Sequence, residues 1–162
     1  MPNQQTLSTV QDVMNREVVS IRPDMPLFEA HAIITSHNFD GAPVVDSDNR
    51  LVGILTEYDM LVKGSALHLP TFQKVLTNLR LGRKEEDHLR ADMEELRKLT
   101  VRDVMNPDPL TLPETASFED VVKTFREHHR VNPIPVIDQE RRVVGVVSRF
   151  DVLKPIQYVG SQ

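Results

Sequence analysis

The chain reads Leu51-Val-Gly-Ile-Leu-Thr-Glu-Tyr-Asp59 and, 92 residues later, Val143-Val-Gly-Val-Val-Ser-Arg-Phe-Asp151. Two further blocks recur in the same order. Asp12-Val-Met-Asn15 returns unchanged at an offset of 91 residues, and Pro43-Val-Val-Asp46 returns at an offset of 92 with one valine replaced by isoleucine. Three ordered matches, with a single residue inserted between them, indicate an internal repeat around which the other motifs are arranged.

Each copy of the repeat has the same predicted order of elements. A short apolar run favours a strand, at 18–21 in the first copy and at 109–112 in the second. An amphipathic helix comes next, followed by a β-hairpin with a polar turn and a short helix that opens at Thr56 or Ser148. The predicted fold class is α/β of the α+β type, built from two β-α-β-β-α repeats. One unit is too small to bury both faces of its sheet, so we expect the copies to pack sheet against sheet.

The first helix of each copy has an apolar face with a period of about 3.6 residues. This face comprises Leu27, Ala30, His31 and Ile34 in the first copy, and Phe118, Val121, Val122 and Phe125 in the second. Ser117-Phe-Glu-Asp120 has the spacing of a capping box, in which a hydroxyl and an acid satisfy the backbone at a helix start. The second helix is therefore predicted to begin directly after Ser117.

A segment without a counterpart separates the two copies. The predicted division is 10–63 for the first repeat, 64–99 for a helical insert and 100–156 for the second repeat. Within the insert, a narrow apolar stripe that starts at Leu89 runs among charged residues. Such a stripe is typical of a connector that rests on the module, which is the interpretation we favour. The alternative is a partner-binding or dimerisation helix.

Composition excludes several classes of function. The 162 residues include 19 Lys and Arg against 24 Asp and Glu, a net charge of −5, whereas nucleic-acid binding needs clustered basic residues. The chain has no cysteine, which excludes disulfides, thiolate metal sites and cysteine nucleophiles. No apolar stretch approaches the roughly 20 residues that cross a bilayer, and the N-terminal residues lack a secretory pattern. We therefore expect a cytoplasmic protein that binds neither nucleic acid nor membrane.

The repeated block Gly-h-h-Thr/Ser-x-x-Asp, in which h is apolar, resembles the signature of CBS domains, which are named for their occurrence in cystathionine beta-synthase. It stands at 53–59 and 145–151, and Val-x-Asp-Val-Met openings at Val10 and Val101 add to the match. The resemblance implies two repeats packed about a pseudo-twofold axis. It also implies two clefts between them, which in many family members bind AMP, ADP, ATP, S-adenosylmethionine or related ligands.

The resemblance further implies which residues line the two clefts. The first cleft would combine Ser148, Phe150 and Asp151 with Met14, Val19, Phe39 and Asp40. The second cleft would combine Thr56, Tyr58 and Asp59 with Met105, Leu110, Val131 and Asn132. Apolar side chains suit an adenine ring, a fixed carboxylate can accept ribose hydroxyls, and a helix N-terminus favours phosphate. The Thr/Ser-x-x-Asp spacing is also explained by a capping box alone, and the two roles can coexist.

The two clefts differ at the residue after the hydroxyl. Arg149 follows Ser148, whereas Glu57 follows Thr56. An arginine beside a phosphate is favourable and a carboxylate repels it. This difference predicts that the Ser148 cleft binds a phosphorylated ligand more tightly than the Thr56 cleft.

No catalytic or metal-binding motif accompanies the repeat. Glycine-rich phosphate loops, zinc-protease helices and nucleophile elbows are absent from the sequence, so we expect no enzymatic activity and no required cofactor. His128 and His129 are neighbours on a predicted helix and point about 100° apart, so they cannot grip one metal. The leading hypothesis is a regulatory module that binds an adenine nucleotide or S-adenosylmethionine, forms a homodimer and signals to an effector protein in trans. The alternative is a structural dimerisation module with unoccupied clefts.

Overall fold

The two copies of the repeat build two small β-sheets with helices beside them. The computed structural model describes residues 8–66, 94 and 97–159. The first copy contains a 3-10 helix at Val10–Asp12, α1 at Leu27–Ser36, β1 at Gly41–Val45, β2 at Leu51–Thr56 and α2 at Glu57–Ala66. The second copy contains α3 at Val101–Val104, β3 at Leu112–Pro113, α4 at Phe118–Glu127, β4 at Ile134–Ile137, β5 at Val143–Val147 and α5 at Arg149–Val159.

The sheets have equivalent hairpins. β1 pairs with β2 in antiparallel register, with Gly41 opposite Thr56, and β4 pairs with β5 with Ile134 opposite Val147. Both hairpins have a register shift at the same point, after Val44 in the first and after Val136 in the second. β3 adds a short parallel strand beside β4. The predicted α/β fold class, with two related units, is thereby confirmed.

The predicted first strand of each copy is wrong in extent. In the first copy Ile21 makes a single parallel bridge to Val44, and in the second copy the strand is Leu112–Pro113. To extend the strand beyond Ile21, the backbone N–H of residue 23 would have to donate the next hydrogen bond of the ladder. Residue 23 is proline, which has no N–H. The equivalent residue of the second copy, Glu114, donates that bond to the Ile137 carbonyl at 3.0 Å. The first strand therefore ends after one bridge.

The first helix of each copy buries one side, as its periodicity predicts. α1 buries Ala30 and Ile34, and α4 buries Val121 and Phe125. Val122 is 41% exposed, so the apolar face of α4 is narrower than expected. The predicted capping box is confirmed: the Ser117 hydroxyl accepts a hydrogen bond from the Asp120 N–H at 3.1 Å, and the Asp120 carboxylate accepts one from the Ser117 N–H at 3.2 Å.

The segment that leads into each copy pairs with the other copy. Asn15, just after the first 3-10 helix, exchanges backbone hydrogen bonds of 2.8 and 2.9 Å with Val146 of β5. Asn106, just after α3, exchanges bonds of 2.8 and 3.0 Å with Ile54 of β2. The two leading segments are thus swapped between the repeats.

The apolar cores follow this exchange. Val10 and Met14 are buried in a cluster whose other members belong to the second copy, such as Val121 and Ile134. Val101, Val104 and Met105 are buried in a cluster with Ile21, Ala30, Ile34, Ala42, Val44 and Leu55 of the first copy. Because each core contains residues from the sequence blocks of both repeats, neither repeat completes its core from its own block.

The two hairpin turns meet each other between the repeats. Leu51 donates a backbone hydrogen bond to the Arg141 carbonyl at 2.9 Å, and Val143 donates one to the Asn49 carbonyl at 3.1 Å. Asn49 and Arg141, which are 92 residues apart, both have φ near +60°, at 61° and 63°. A third apolar cluster of Val45, Leu51 and Val143 lies beside these turns. The contact places equivalent residues of the two copies opposite each other, as a pseudo-twofold axis requires.

Most of the insert, including the start of its apolar stripe at Leu89, lies outside the described residues; near its end, Glu94 and Arg97 are helical. At the end of the insert, the Leu99 carbonyl accepts a backbone hydrogen bond of 2.9 Å from Leu27 at the start of α1. The three-part division of the chain stays a prediction. Within the described ranges, no helix is long and apolar enough to cross a membrane.

Candidate functional site

Two cavities lie where α2 and α5 begin, at equivalent positions of the two copies. The larger cavity has a volume of about 330 Å³ and lies at the start of α5. The smaller cavity has a volume of about 190 Å³ and lies at the start of α2. Both are lined by residues of both repeats, and Pro133 lines both. The larger volume falls in the range of small-molecule sites.

The structure brings together most of the residues expected in each cleft. The larger cavity is lined by Val19, Phe39, Asp40, Ser148, Phe150 and Asp151. The smaller cavity is lined by Thr56, Tyr58, Asp59, Leu110, Val131 and Asn132. Met14, Met105 and Arg149 were expected in the clefts and line neither cavity.

The two methionines lie in the cores rather than in the cavities. Met14 is 8% exposed, and Met105 is 9% exposed. A Cβ added to Gly145 would lie 2.5 Å from the Met14 sulfur, and one added to Gly53 would lie 2.7 Å from the Met105 sulfur. The residues that follow the methionines, Asn15 and Asn106, line the cavities instead. The structure therefore places the residue after each methionine, and not the methionine itself, at the cavity wall.

The motif glycines have a role that sequence reasoning missed. Gly53 and Gly145 leave room for the swapped leading segments, which pass directly over them. At Gly53 an added Cβ would also lie 2.8 Å from the Asn106 carbonyl oxygen, a backbone atom with little freedom to move. The exact repeat of glycine at both positions was the available signal, but only the topology supplies the reason.

Arg149 is directed away from the larger cavity. Its guanidinium donates to the Phe125 carbonyl at 3.0 Å and to the His128 carbonyl at 2.8 Å, and it lies 5.0 Å from the Phe125 ring centroid. These carbonyls stand at the C-terminal end of α4, where a positive charge is favourable. The reason for ranking the Ser148 cleft first for phosphate, an arginine fork beside the ligand, is therefore removed.

Both Thr/Ser-x-x-Asp blocks form capping boxes at the cavity walls. The Thr56 hydroxyl donates to the Asp59 carboxylate at 2.6 Å and accepts from the Asp59 N–H at 3.1 Å. Ser148 makes the same contacts with Asp151, at 2.6 and 3.2 Å. The caps fix each carboxylate at the start of a helix, where the free N–H groups favour negative charge. The arrangement holds an acceptor and a helix N-terminus on one side of each cavity.

Asp151 is the buried acid of the larger cavity. Burial alone would raise the pKa of its carboxyl, but hydrogen bonds from the Lys154 ammonium and from the hydroxyl and N–H of Ser148 outweigh burial and hold the pKa below its usual range. The Lys154 Nζ lies 2.6 Å from one carboxylate oxygen, while Ser148 bonds the other. Asp151 is therefore ionised at neutral pH, with one cation already beside it.

One side-chain hydrogen bond joins the two cavities. The Asn132 amide, in the wall of the smaller cavity, donates to the carboxylate of Asp40, in the wall of the larger one. Asp40 and Asn132 are equivalent residues, 92 positions apart. Asn132 also accepts the Arg149 N–H at 3.0 Å, and the Asp40 carbonyl accepts the Glu57 N–H at 3.1 Å. Each residue thus orients the first turn of one cavity helix.

Several lining residues were not anticipated from the sequence. Glu17 and Lys154 line the larger cavity, and Arg130 lines the smaller one. They stand outside the repeated blocks, so no motif marked them. Arg130 differs from its counterpart Asn38 at the 92-residue offset, which was the only trace available. Within the described residues, no group of three or more His, Asp or Glu side chains could hold a metal ion.

Comparison with known proteins identifies a family for both repeats. The family model for the CBS domain matches residues 10–64 and 101–158. The chain is 26% identical over 155 residues to the uncharacterized protein MJ1426 of Methanocaldococcus jannaschii, covering 91% of this chain and 90% of that protein. It is 25% identical over 154 residues to inosine-5'-monophosphate dehydrogenase of the same organism, covering 95% of this chain. It spans only a quarter of the length of that enzyme.

Solved structures share the fold at lower identity. CBSX2 in complex with AMP superposes with a TM-score of 0.67 at 22% identity, covering 93% of this chain and 97% of that one. The CBS domain pair of protein MJ0100, in complex with 5'-methylthioadenosine and S-adenosyl-L-methionine, superposes with a TM-score of 0.66 at 22% identity, covering 97% and 100%.

Proposed function

The chain belongs to the CBS-domain family, and from this premise we propose that it is a regulatory module that binds an adenine nucleotide or a related adenosyl ligand in its two cavities. Its role is to report ligand to a partner protein in trans rather than to catalyse a reaction. The observation that carries the proposal is the pair of equivalent cavities, each with a capped carboxylate at a helix start and apolar side chains opposite.

Each part of an adenosyl ligand has a matching feature in the cavity walls. Phe39 and Phe150 in the larger cavity, and Leu110 and Val131 in the smaller one, offer apolar surface to an adenine ring. The capped carboxylates can accept ribose hydroxyls, as an acid does in dinucleotide-binding folds. CBSX2 with AMP and the MJ0100 domain pair with adenosyl compounds have the same fold, which supports this ligand class for the present chain.

Signalling follows from the position of the cavities. Both cavities are built from the two repeats together, so a ligand contacts both sides of the pseudo-twofold axis. A ligand shifts the packing of the repeats only by the difference in its affinity for the two arrangements. The partner would read that shift. We also propose that the protein is cytoplasmic, which cell fractionation would test.

The proposal is tested by removing the charge of each cavity cap, with a cap that lines neither cavity as the control. Asp151→Asn and Asp59→Asn remove the charge from the two cavity caps, while Asp120→Asn removes it from the Ser117 cap, which lines neither cavity. In calorimetry with AMP, ATP and S-adenosylmethionine, we expect a loss of affinity in a cavity variant and none in Asp120→Asn. Wild-type protein that binds none of these ligands at millimolar concentration, and whose melting temperature they leave unchanged, would rule out the proposal.

A second candidate function is homodimerisation through an apolar surface on α2 and α5. Leu61 and Leu153 are equivalent residues, exposed by 62% and 52%, and Tyr58 and Phe150 beside them are also exposed. Two equal apolar patches related by a pseudo-twofold axis suit a symmetric pairing of two modules. Sedimentation should show a dimer for the wild type and a monomer for Leu61→Glu with Leu153→Glu, while Lys123→Glu on α4 should leave the dimer intact.

A further inference from the structure

The walls of the two cavities differ in charge: the larger has an excess of carboxylates, and the smaller is balanced. Three carboxylates line the larger cavity, those of Glu17, Asp40 and Asp151, against one ammonium, that of Lys154. One carboxylate, that of Asp59, lines the smaller cavity with the Arg130 guanidinium. Repulsion by nearby carboxylates disfavours a phosphate, and an arginine fork favours it.

The cation of each cavity is engaged differently. The Lys154 Nζ is bound at 2.6 Å to Asp151, so its charge is already compensated. Arg130 makes no salt bridge to a described residue, and its guanidinium lies 3.5 Å from the Tyr58 hydroxyl across the cavity. Tyr58 belongs to the other repeat and lines the same cavity, so the arginine lies at the cavity wall where the two repeats meet. Arg130 is exposed and can meet a phosphate at the rim while the rest of a ligand lies inside.

We propose that Arg130 makes the smaller cavity the phosphate site of the module, while the larger, acidic cavity selects adenosyl ligands that lack a phosphate. This assignment rests on the proposed function and reverses the ranking expected from Arg149. The position equivalent to Arg130 in the larger cavity holds Asn38, which carries no charge. The division of ligands by charge therefore follows from one arginine on one side and an excess of carboxylates on the other.

The decisive comparison is AMP against adenosine, which differ only by the phosphate. In calorimetry, Arg130→Gln should weaken AMP binding about tenfold, the effect of losing a charge-assisted contact, and leave adenosine affinity unchanged. Arg130→Lys keeps the charge but loses the planar fork, so its AMP affinity should lie between those of the wild type and Arg130→Gln. Arg126→Gln removes the same charge from exposed α4 surface outside both cavities and should change neither affinity. Circular dichroism melts check that each variant is folded.

The larger cavity supplies the reciprocal test. With S-adenosylmethionine as the probe, Glu17→Gln should weaken binding about threefold, the size of a partly screened charge contact, whereas Arg130→Gln should not. AMP affinity that is unchanged in Arg130→Gln and lost in Asp151→Asn would overturn the assignment and leave the proposed function standing. Wild-type protein that binds none of AMP, ATP, adenosine and S-adenosylmethionine would overturn both.

Discussion

Two neighbours, Ser148 and Lys154, set the acid–base behaviour of Asp151, and each lies three residues away in the chain. Burial works against its charge, but the contacts from Lys154 and Ser148 prevail and lower its pKa. Because the folded pKa lies below the unfolded value, the ionised carboxylate stabilises the fold at every pH above the unfolded pKa. That stabilisation is lost as pH falls through the folded pKa.

We expect an NMR titration of the Asp151 carboxyl to have its midpoint below 3.8, the ordinary value for aspartate. In urea unfolding, the free-energy difference between wild type and Asp151→Asn should be constant around neutral pH and shrink in acid, below a pH of about 4. A midpoint above the ordinary value would mean that burial, rather than the hydrogen bonds, determines this pKa.

Gly53 and Gly145 differ in what an added side chain would meet. An alanine Cβ at Gly145 would lie 2.5 Å from the Met14 sulfur, the movable end of a flexible side chain, and 3.2 Å from the Asn15 carbonyl oxygen. At Gly53 it would lie 2.8 Å from the Asn106 carbonyl oxygen, which is held in a backbone pair with Ile54. The two alanine substitutions should therefore differ in cost.

Chemical denaturation should show Gly53→Ala to be destabilising by about 2–3 kcal/mol, at the upper end of what overpacking costs. Gly145→Ala should cost less, because the Met14 side chain can move. Adding Met14→Ala to Gly145→Ala should recover part of the overpacking loss, whereas adding Met105→Ala to Gly53→Ala should recover little. Equal losses for the two glycines would show that the backbone contact at Asn106 yields.

At the scale of elements, the C-terminal end of α4 is held by a residue of the next helix. Arg149 is the first residue of α5, and its guanidinium binds the Phe125 and His128 carbonyls at that end. The contact joins the helix that precedes the β4–β5 hairpin in the chain to the helix that follows it. It explains why an arginine next to the Ser148 cap serves packing and not the cavity.

Arg149→Gln should lower the free energy of unfolding by about 1–2 kcal/mol, the size of a charged contact at a helix C-terminus. Its AMP affinity should match the wild type, since the side chain lines neither cavity. Lys123→Gln, on α4 one turn before its C-terminal end, is the control and should be nearly neutral in stability. A loss of AMP affinity in Arg149→Gln with unchanged stability would return this residue to the ligand site.

For the whole molecule, the swapped leading segments make each core depend on residues from both repeats. Val10 is fully buried in the core of the second repeat, and Val101 is fully buried in the core of the first. Their equivalence under the repeat makes the two valines a matched pair of probes. The exchange ties the repeats into one folding unit.

Val10→Ala should cost about 2 kcal/mol, the free energy of burying a valine side chain. Hydrogen exchange should speed up first in α4 and β4, which lie 100 residues or more along the chain, and not in α1 and β1 nearby. Val101→Ala should give the reverse pattern, and Gln11→Ala, at an exposed position, should be nearly silent. Faster exchange in α1 and β1 for Val10→Ala would contradict the exchange of segments.

The sequence by itself determined the features that depend on residues close together in the chain. The repeat, the amphipathic α1 and α4, the hairpins and the Thr/Ser-x-x-Asp caps at the starts of α2, α4 and α5 all follow from patterns shorter than about a dozen residues. Resemblance to a family extended this to which residues line each cleft, and the structure brings most of them together. The methionines, displaced by one position into the cores, mark the limit of that transfer.

Only the tertiary structure decided the features that depend on residues more than about 20 positions apart in the chain. These are the swapped segments, the glycines beneath them, the direction of Arg149 and the charges of the two cavities. Each depends on which backbone passes over which, and a local pattern holds no information on that choice. Arg149 and Arg130 both lie next to cleft residues in the sequence. In the fold, Arg149 binds the end of a helix, whereas Arg130 lines a cavity.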